Sequence, residues 1–227
     1  MPATPRHTSR ARLEAKESSI LDAAEKIFAR VGFDGAKVSE IARAASVAEG
    51  TVYLYHKNKQ DLLAGVVGRF WTQLTLGAEA AIQPNATTTE QLEQLGHYHL
   101  NSILDQFEVV SLTYRARPQQ EQDLDQVREY VRVFDRIMQR GVDRGELPKG
   151  TPIGQLRDVF FGTLEFSART LKLRERPYDH SVVTNLLAIM VGSSDAALDA
   201  SKGKEPSNRE LMNTLKSIQK QLKISGN

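Results

Sequence analysis

The segment KVSEIARAASVAEGTVYLYHKNKQDLL, residues 37–63, reads as two short helices joined by a tight turn, with a third helix opening directly behind them. Ile41, Ala42, Ala45, Val47, Val52 and Leu62 are the small apolar contacts that a pair of crossing helices needs. Gly50, Thr51, Tyr53, Tyr55, Lys57 and Lys59 fall on the outside of the same span. A helix-turn-helix with a polar, aromatic and basic outer face is the arrangement that enters a DNA major groove. The segment therefore predicts a DNA-binding regulator.

Upstream, Ile20, Ala24, Ile27 and Val31 draw one apolar stripe, which predicts a helix over 14–31. Gly32 follows as its C-terminal cap, and Phe33 folds back on the helix end. Residues 1–13, with Arg6, Arg10 and Arg12, read as a basic flexible arm. The second and third helices are expected over 38–44 and 49–56, and Asn58 is the N-cap of a fourth that runs to about 82, before Pro84.

Downstream, apolar-periodic segments alternate with turn signals. Thr87 and Glu90 make a capping-box pattern before Leu92, Leu95, Leu100, Ile103 and Leu104. A short helix is expected over 108–114, and another carries Leu124, Val127, Val131, Phe134, Ile137 and Met138. Thr151-Pro152 reads as a cap followed by a first-turn proline, opening a helix with Leu156, Val159, Phe160, Leu164 and Leu171. A last core helix is expected over 181–197. Residues 201–207, SKGKEPS, read as a linker. Beyond it, Leu211, Leu215, Ile218 and Leu222 share one face of a basic amphipathic helix. No segment alternates as a strand, so the chain reads as all-α with about nine helices.

The 227 residues contain no cysteine, which excludes disulfides and thiolate metal sites. No apolar run reaches 18 residues, and the N-terminus lacks a signal-peptide core; a cytoplasmic protein without membrane contact is expected. The net charge of +2 is uneven: +2 over 1–65, −4 over 66–201 and +4 over 202–227. Basic ends around a mildly acidic middle suit a head that meets DNA and a body that does not.

Three pieces, AAEKIFARVGFDGAKVSEIA, GTVYLY (residues 50–55) and KNKQDLL (residues 57–63), carry a resemblance to the TetR family of bacterial transcriptional regulators. The resemblance is close over 14–65 and beyond that holds in length and helical layout. It implies a DNA-binding head at 14–65, with its helix-turn-helix at about 37–56, and a ligand-binding and dimerisation domain at 66–200. A dimer would place two recognition helices in successive major grooves of a palindromic operator, about 34–36 Å apart.

Lys37 stands where the family usually has threonine; a cation there opposes the helix dipole, so a phosphate contact, aided by Ser39, is its better use. Ala48 replaces the common serine cap. Glu49, often lysine in the family, is suited to accept from a cytosine amine. Gly50 permits close backbone approach, and Thr51 offers a hydroxyl and a methyl. Tyr53 is the expected contact of the two tyrosines, with Tyr55 turned partly towards helix one. His56 replaces a phenylalanine that packs into the small core. Lys57 and above all Lys59, at a helix N-terminus, are expected to hold phosphate.

In the body, Trp71, Tyr98, Phe107, Tyr114, Phe134, Met138 and Phe161 are the candidate lining of a pocket for a small apolar effector. The VAEGTVYLYHKNKQDLL string resembles family members that regulate fatty-acid degradation and respond to long-chain acyl-CoA. Arg115, Arg117 or Arg174 would then meet the nucleotide phosphates. Leu156, Phe160, Leu164, Leu186 and Met190 are the candidate dimer seam. His97 and His99 diverge by about 200° on a helix and cannot share a metal ion, and nothing calls for a cofactor. No catalytic constellation is present, so an enzyme is not expected. The rival reading is a helical small-molecule-binding protein without DNA-binding activity.

Overall fold

The computed structural model describes residues 6–113 and 125–190, and every regular element among them is a helix. The elements are α1 (Arg6–Gly35), α2 (Val38–Ala44), α3 (Glu49–Tyr55), α4 (Lys59–Ala81), α5 (Thr88–Asp105), α6 (Phe107–Thr113), α7 (Asp125–Asp143) and α8 (Ile153–Leu173). Residues 181–190 are also helical. The described residues up to 187 form one compact unit. The tail at 201–227 lies outside the described residues.

Helix α1 begins at Arg6, earlier than the expected start at 14. Arg10 Nε donates to Glu14 at 2.8 Å, the four-residue spacing that supports a helix end. At the other end Gly32 takes φ +73°, a conformation that stops a helix and that residues with a Cβ rarely adopt. Ile20, Ala24, Ile27 and Phe28 are buried on α1, which packs against α2, α4 and α6. Leu62, Leu63 and Val66 bring the apolar face of α4 to the same core. Asn58 caps α4 as expected, its side chain accepting from Asp61 N–H at 2.8 Å.

The body is assembled by α4, α5, α7 and α8, with α6 between α1 and α4. Thr87 and Glu90 complete the expected capping box at α5. Thr88 N–H donates to Glu146 Oε2 at 2.6 Å, which pins the α7–α8 loop to the start of α5. Thr151 does not cap α8: its hydroxyl donates to the Pro148 carbonyl at 2.7 Å, and Pro152 takes the cap position.

At the centre, Tyr130 of α7 stacks on His99 of α5 with ring centroids 5.6 Å apart. Phe161 of α8 meets His99 at 5.0 Å, and Trp71 of α4 meets Tyr130 at 5.7 Å. His99 Nδ1 and the Tyr130 hydroxyl are hydrogen-bonded at 2.6 Å. Complete burial drives the imidazole from its ordinary 6.5 down to about 3, and pushes the Tyr130 phenol well up. Both groups are neutral at pH 7.

An unfolded histidine gains its proton below pH 6.5, whereas His99 in the folded chain stays neutral to about pH 3. Its contribution to stability is therefore full above pH 6.5 and is lost as pH falls towards 3. At pH 5 the loss is about 2 kcal/mol. Thermal unfolding at pH 7 and pH 5 checks this: the wild type should lose stability on acidification, and His99→Phe should lose distinctly less. Equal losses would mean that His99 takes up its proton within the folded chain.

Candidate nucleic-acid interface

Lys37 stands at the N-cap of α2 in an extended conformation, φ −110° and ψ 132°, with no side-chain cap. Its side chain and that of Ser39 are exposed, clear of the buried face formed by Val38, Ile41 and Ala42. Glu40 is held by Arg30 Nη2 at 2.6 Å. The turn to α3 passes through Ser46 at φ +56°, and Val47 N–H returns to the Ala42 carbonyl at 2.9 Å. That turn sets the crossing of the two helices.

Helix α3 buries Val52 alone within its span. Residue 54 lies about 200° around the helix from residue 52, and Leu54 is accordingly 84% exposed, with Tyr53 46% exposed beside it. Glu49 and Gly50 are exposed at the helix start, and nothing stands within 4 Å of where a Gly50 Cβ would be. Thr51 and Tyr55 are half-buried. The structure thus brings Glu49, Gly50, Thr51, Tyr53 and Tyr55 together on one short helix, with Leu54 among them. Sequence reading passed over Leu54, although its offset from Val52 turns it outward.

The two lysines after α3 differ. Lys57 is exposed, and only its backbone is engaged, its N–H donating to Asp61 Oδ2 at 2.9 Å. Lys59 Nζ donates to the carbonyls of Phe33 at 2.9 Å, Ala36 at 3.1 Å and Asp34 at 3.4 Å, and lies 4.6 Å from the Phe33 ring centroid. An ammonium has three hydrogens, and all three are spent on the chain that leaves α1. The expectation that Lys59 stands free for phosphate is corrected on that ground.

His56 enters the small core, as its replacement of a phenylalanine suggests. It is 7% exposed, and a Cβ on Gly65 would lie 2.8 Å from its Cε1. Burial lowers its proton affinity, partly offset by Asp61 and Glu17.

In the body, Trp71, Phe134, Met138 and Phe161 are buried, and the ring cluster around Tyr130 joins Trp71, Phe134 and Phe161. Tyr98 is half-buried against Gly77, and Phe107 lies under the Lys172 ammonium at 5.6 Å. Tyr114, Arg115 and Arg117 lie outside the described residues. His99 was missed as part of this cluster; its place between Leu95 and Ile103 at four-residue spacing puts it on the buried face of α5. His97 Nδ1 pairs with the Tyr178 hydroxyl and His99 with Tyr130, so the two imidazoles diverge. Among the described residues no group of three or more His, Cys, Asp or Glu is arranged to hold a metal ion.

The candidate dimer seam needs correction. Phe160, Leu164 and Leu186 are at most 4% exposed within the single chain and close its own core. Leu156 is half-buried and Met190 is buried. On α8 the apolar side chains left outside are Val159, Phe166 and Leu173, at 48, 72 and 77% exposure.

Residues 20–66 match the family described as bacterial regulatory proteins, tetR family, and residues 70–192 match the YsiA-like protein C-terminal region. The chain is 29% identical over 175 residues to the fatty acid metabolism regulator protein of Bacillus subtilis (strain 168), covering 75% of this chain and 90% of that one. It is 27% identical over 201 residues to the HTH-type transcriptional repressor BepR of Brucella suis biovar 1 (strain 1330), covering 86% and 87%. Among solved structures, the transcriptional regulator FadR from Bacillus subtilis in complex with stearoyl-CoA superposes with a TM-score of 0.66 at 27% identity, over 77% of this chain and 97% of that one. With an outward-facing recognition helix in the head and matches that run through head and body alike, the chain belongs to the TetR family of bacterial regulatory proteins, with a YsiA-like C-terminal region, and is a DNA-binding transcriptional regulator.

Proposed function

We propose that the protein is a homodimeric repressor that binds a palindromic operator and is released from it by a long-chain acyl-CoA. The observation that carries this reading is the fit of the body itself: residues 70–192 match one family, and the FadR structure that holds stearoyl-CoA covers 77% of the chain. The reading displaces the alternative of a helical carrier without DNA binding. The acyl chain would lie among Trp71, Phe134, Met138 and Phe161, with the exposed Arg174 at the end of α8 available to phosphate.

In the head, Lys37, Ser39, Lys57 and the tyrosine hydroxyls of Tyr53 and Tyr55 serve the phosphates. Glu49, Thr51 and Leu54 face base edges, where a leucine suits a thymine methyl, and Gly50 lets the backbone come close. Lys59 acts one step removed, by tying the end of α1 to the start of α4. For the dimer, Val159, Phe166 and Leu173 recur every seven residues, so they form one nearly straight stripe on α8, with the open Gly162 within it. Such a stripe suits the packing of α8 against its copy across a two-fold axis.

Titration of a selected palindromic duplex in the presence of stearoyl-CoA should weaken binding about 5–150-fold, the range of ordinary allosteric coupling. Unchanged affinity would remove acyl-CoA as the effector. Lys57→Ala should weaken all operators alike and flatten the salt dependence by about one unit. Lys59→Ala should instead leave the salt slope unchanged and lower the melting temperature by a few degrees, on the order of 1–2 kcal/mol. A slope change in Lys59→Ala would return that residue to the DNA. Phe166→Glu should sediment as a helical monomer with lost operator affinity; a dimer that still binds would place the seam elsewhere.

A further inference from the structure

His99 Nε2 is buried and has no hydrogen-bond partner, although its ring is only 1% exposed and the other nitrogen is engaged by Tyr130. A buried polar atom left alone is destabilising, and native cores hold few of them. The atom sits where α5, α7 and α8 meet, among the rings of Tyr130 and Phe161, with Trp71 of α4 behind Tyr130. The same ring cluster is the one proposed to receive the acyl chain.

The hydrogen-bonding pattern settles what Nε2 offers. His99 and Tyr130 are both neutral, so the pair has one imidazole hydrogen and one phenol hydrogen to place. If Nδ1–H donated to the phenol oxygen, the phenol hydrogen and the Nε2 lone pair would both be stranded in the core. If the phenol donates to Nδ1, the phenol hydrogen is used and Nε2, now carrying the imidazole hydrogen, is the one donor left over. The second arrangement strands one group in place of two. His99 is then a neutral donor in apolar surroundings, matched to one acceptor oxygen and mismatched to a cation.

We infer that His99 Nε2–H donates to the acyl carbonyl oxygen of the effector, with Tyr130 fixing the imidazole tautomer from behind. The inference rests on the acyl effector reading and adds a specific polar anchor to an otherwise apolar site. It also gives the site a means to distinguish an acyl group from a plain alkyl chain of equal length. A carbonyl oxygen of this kind comes either from the thioester of an acyl-CoA or from the carboxyl group of a free fatty acid.

Calorimetric titration of the full chain with stearoyl-CoA, with S-octadecyl-CoA (the thioether, in which CH2 replaces the carbonyl) and with stearate separates the outcomes. The wild type should bind the thioester roughly 3–10-fold more tightly than the thioether, the size of one hydrogen bond. In His99→Phe the two should bind within about twofold of each other, while Tyr130→Phe should narrow the gap in part by releasing the tautomer. Equal binding of thioester and thioether by the wild type would overturn the inference without any variant, and leave the acyl-CoA reading standing. A gap that persists in His99→Phe would overturn it too, and assign Nε2 to a buried water. If neither CoA compound binds but stearate does, in a His99-dependent way, the donor stands and its acceptor is the free acid. If none of the three binds while operator binding is intact, the acyl reading fails and this inference with it.

Discussion

Arg69 projects from α4 onto α1, where its two terminal nitrogens meet Asp22 at 2.6 Å and Glu25 at 2.7 Å, and one of them also reaches the Ser18 carbonyl at 3.3 Å. The side chain is only 18% exposed, and its Nε has no partner. The guanidinium is more shielded than its partners, Asp22 at 57% and Glu25 at 34% exposure, so it relies on both carboxylates for its hydrogen bonds while their outer sides stay in solvent. The planar fork also fixes the rotation and the register of α4 against α1. The same α4 goes on to pack against α5 and α7. The orientation of the head is therefore referred to the body through one continuous helix, fastened near its start by Asn58 and Lys59 and along its side by Arg69. Phe70 and Trp71, one and two residues beyond Arg69, carry the same helix into the ring cluster of the body.

The seven residues of α3 have two tasks that compete for length. One turn must bury enough to dock on α2, and the rest must remain free for the groove. Val52 does the burying within the helix, and His56 adds to it from the C-cap. The histidine is tolerated because Gly65 leaves room beside it, and because burial keeps the imidazole neutral. With the docking load carried by these two positions, Glu49, Gly50, Tyr53 and Leu54 can all face outward.

The head was legible in the sequence because its signals are local. The cap at Asn58, the stop at Gly32 and the bounds of α2 are each decided within a few residues, as is the Thr87 cap in the body. One failure depended on distant groups. Lys59 looked free because its partners, Phe33, Asp34 and Ala36, are more than twenty residues away. Thr151 looked like a cap, but its hydroxyl found the Pro148 carbonyl first. The first turns of α1 were read as loop because their charges suggested solvent, yet an exposed helix needs no apolar stripe when Arg10 and Glu14 pair along it.

Phe160 and Leu164 of α8, expected in a dimer seam, lie in the protomer's own core, which shows what periodicity can resolve. The helix carries two apolar faces. Phe160, Leu164, Ala168 and Leu171 follow the spacing of a face packed on a core of the same chain. Val159, Phe166 and Leu173 keep a seven-residue period, the repeat of helices that pack on one another nearly in parallel. Reading the richest stripe as the interface assigns the strongest apolar signal to association. Burial within the chain has the prior claim, since the protomer must close its core wherever its partner sits. The weaker stripe, with a longer period and an open glycine between its members, is the apolar face of α8 that the protomer leaves uncovered.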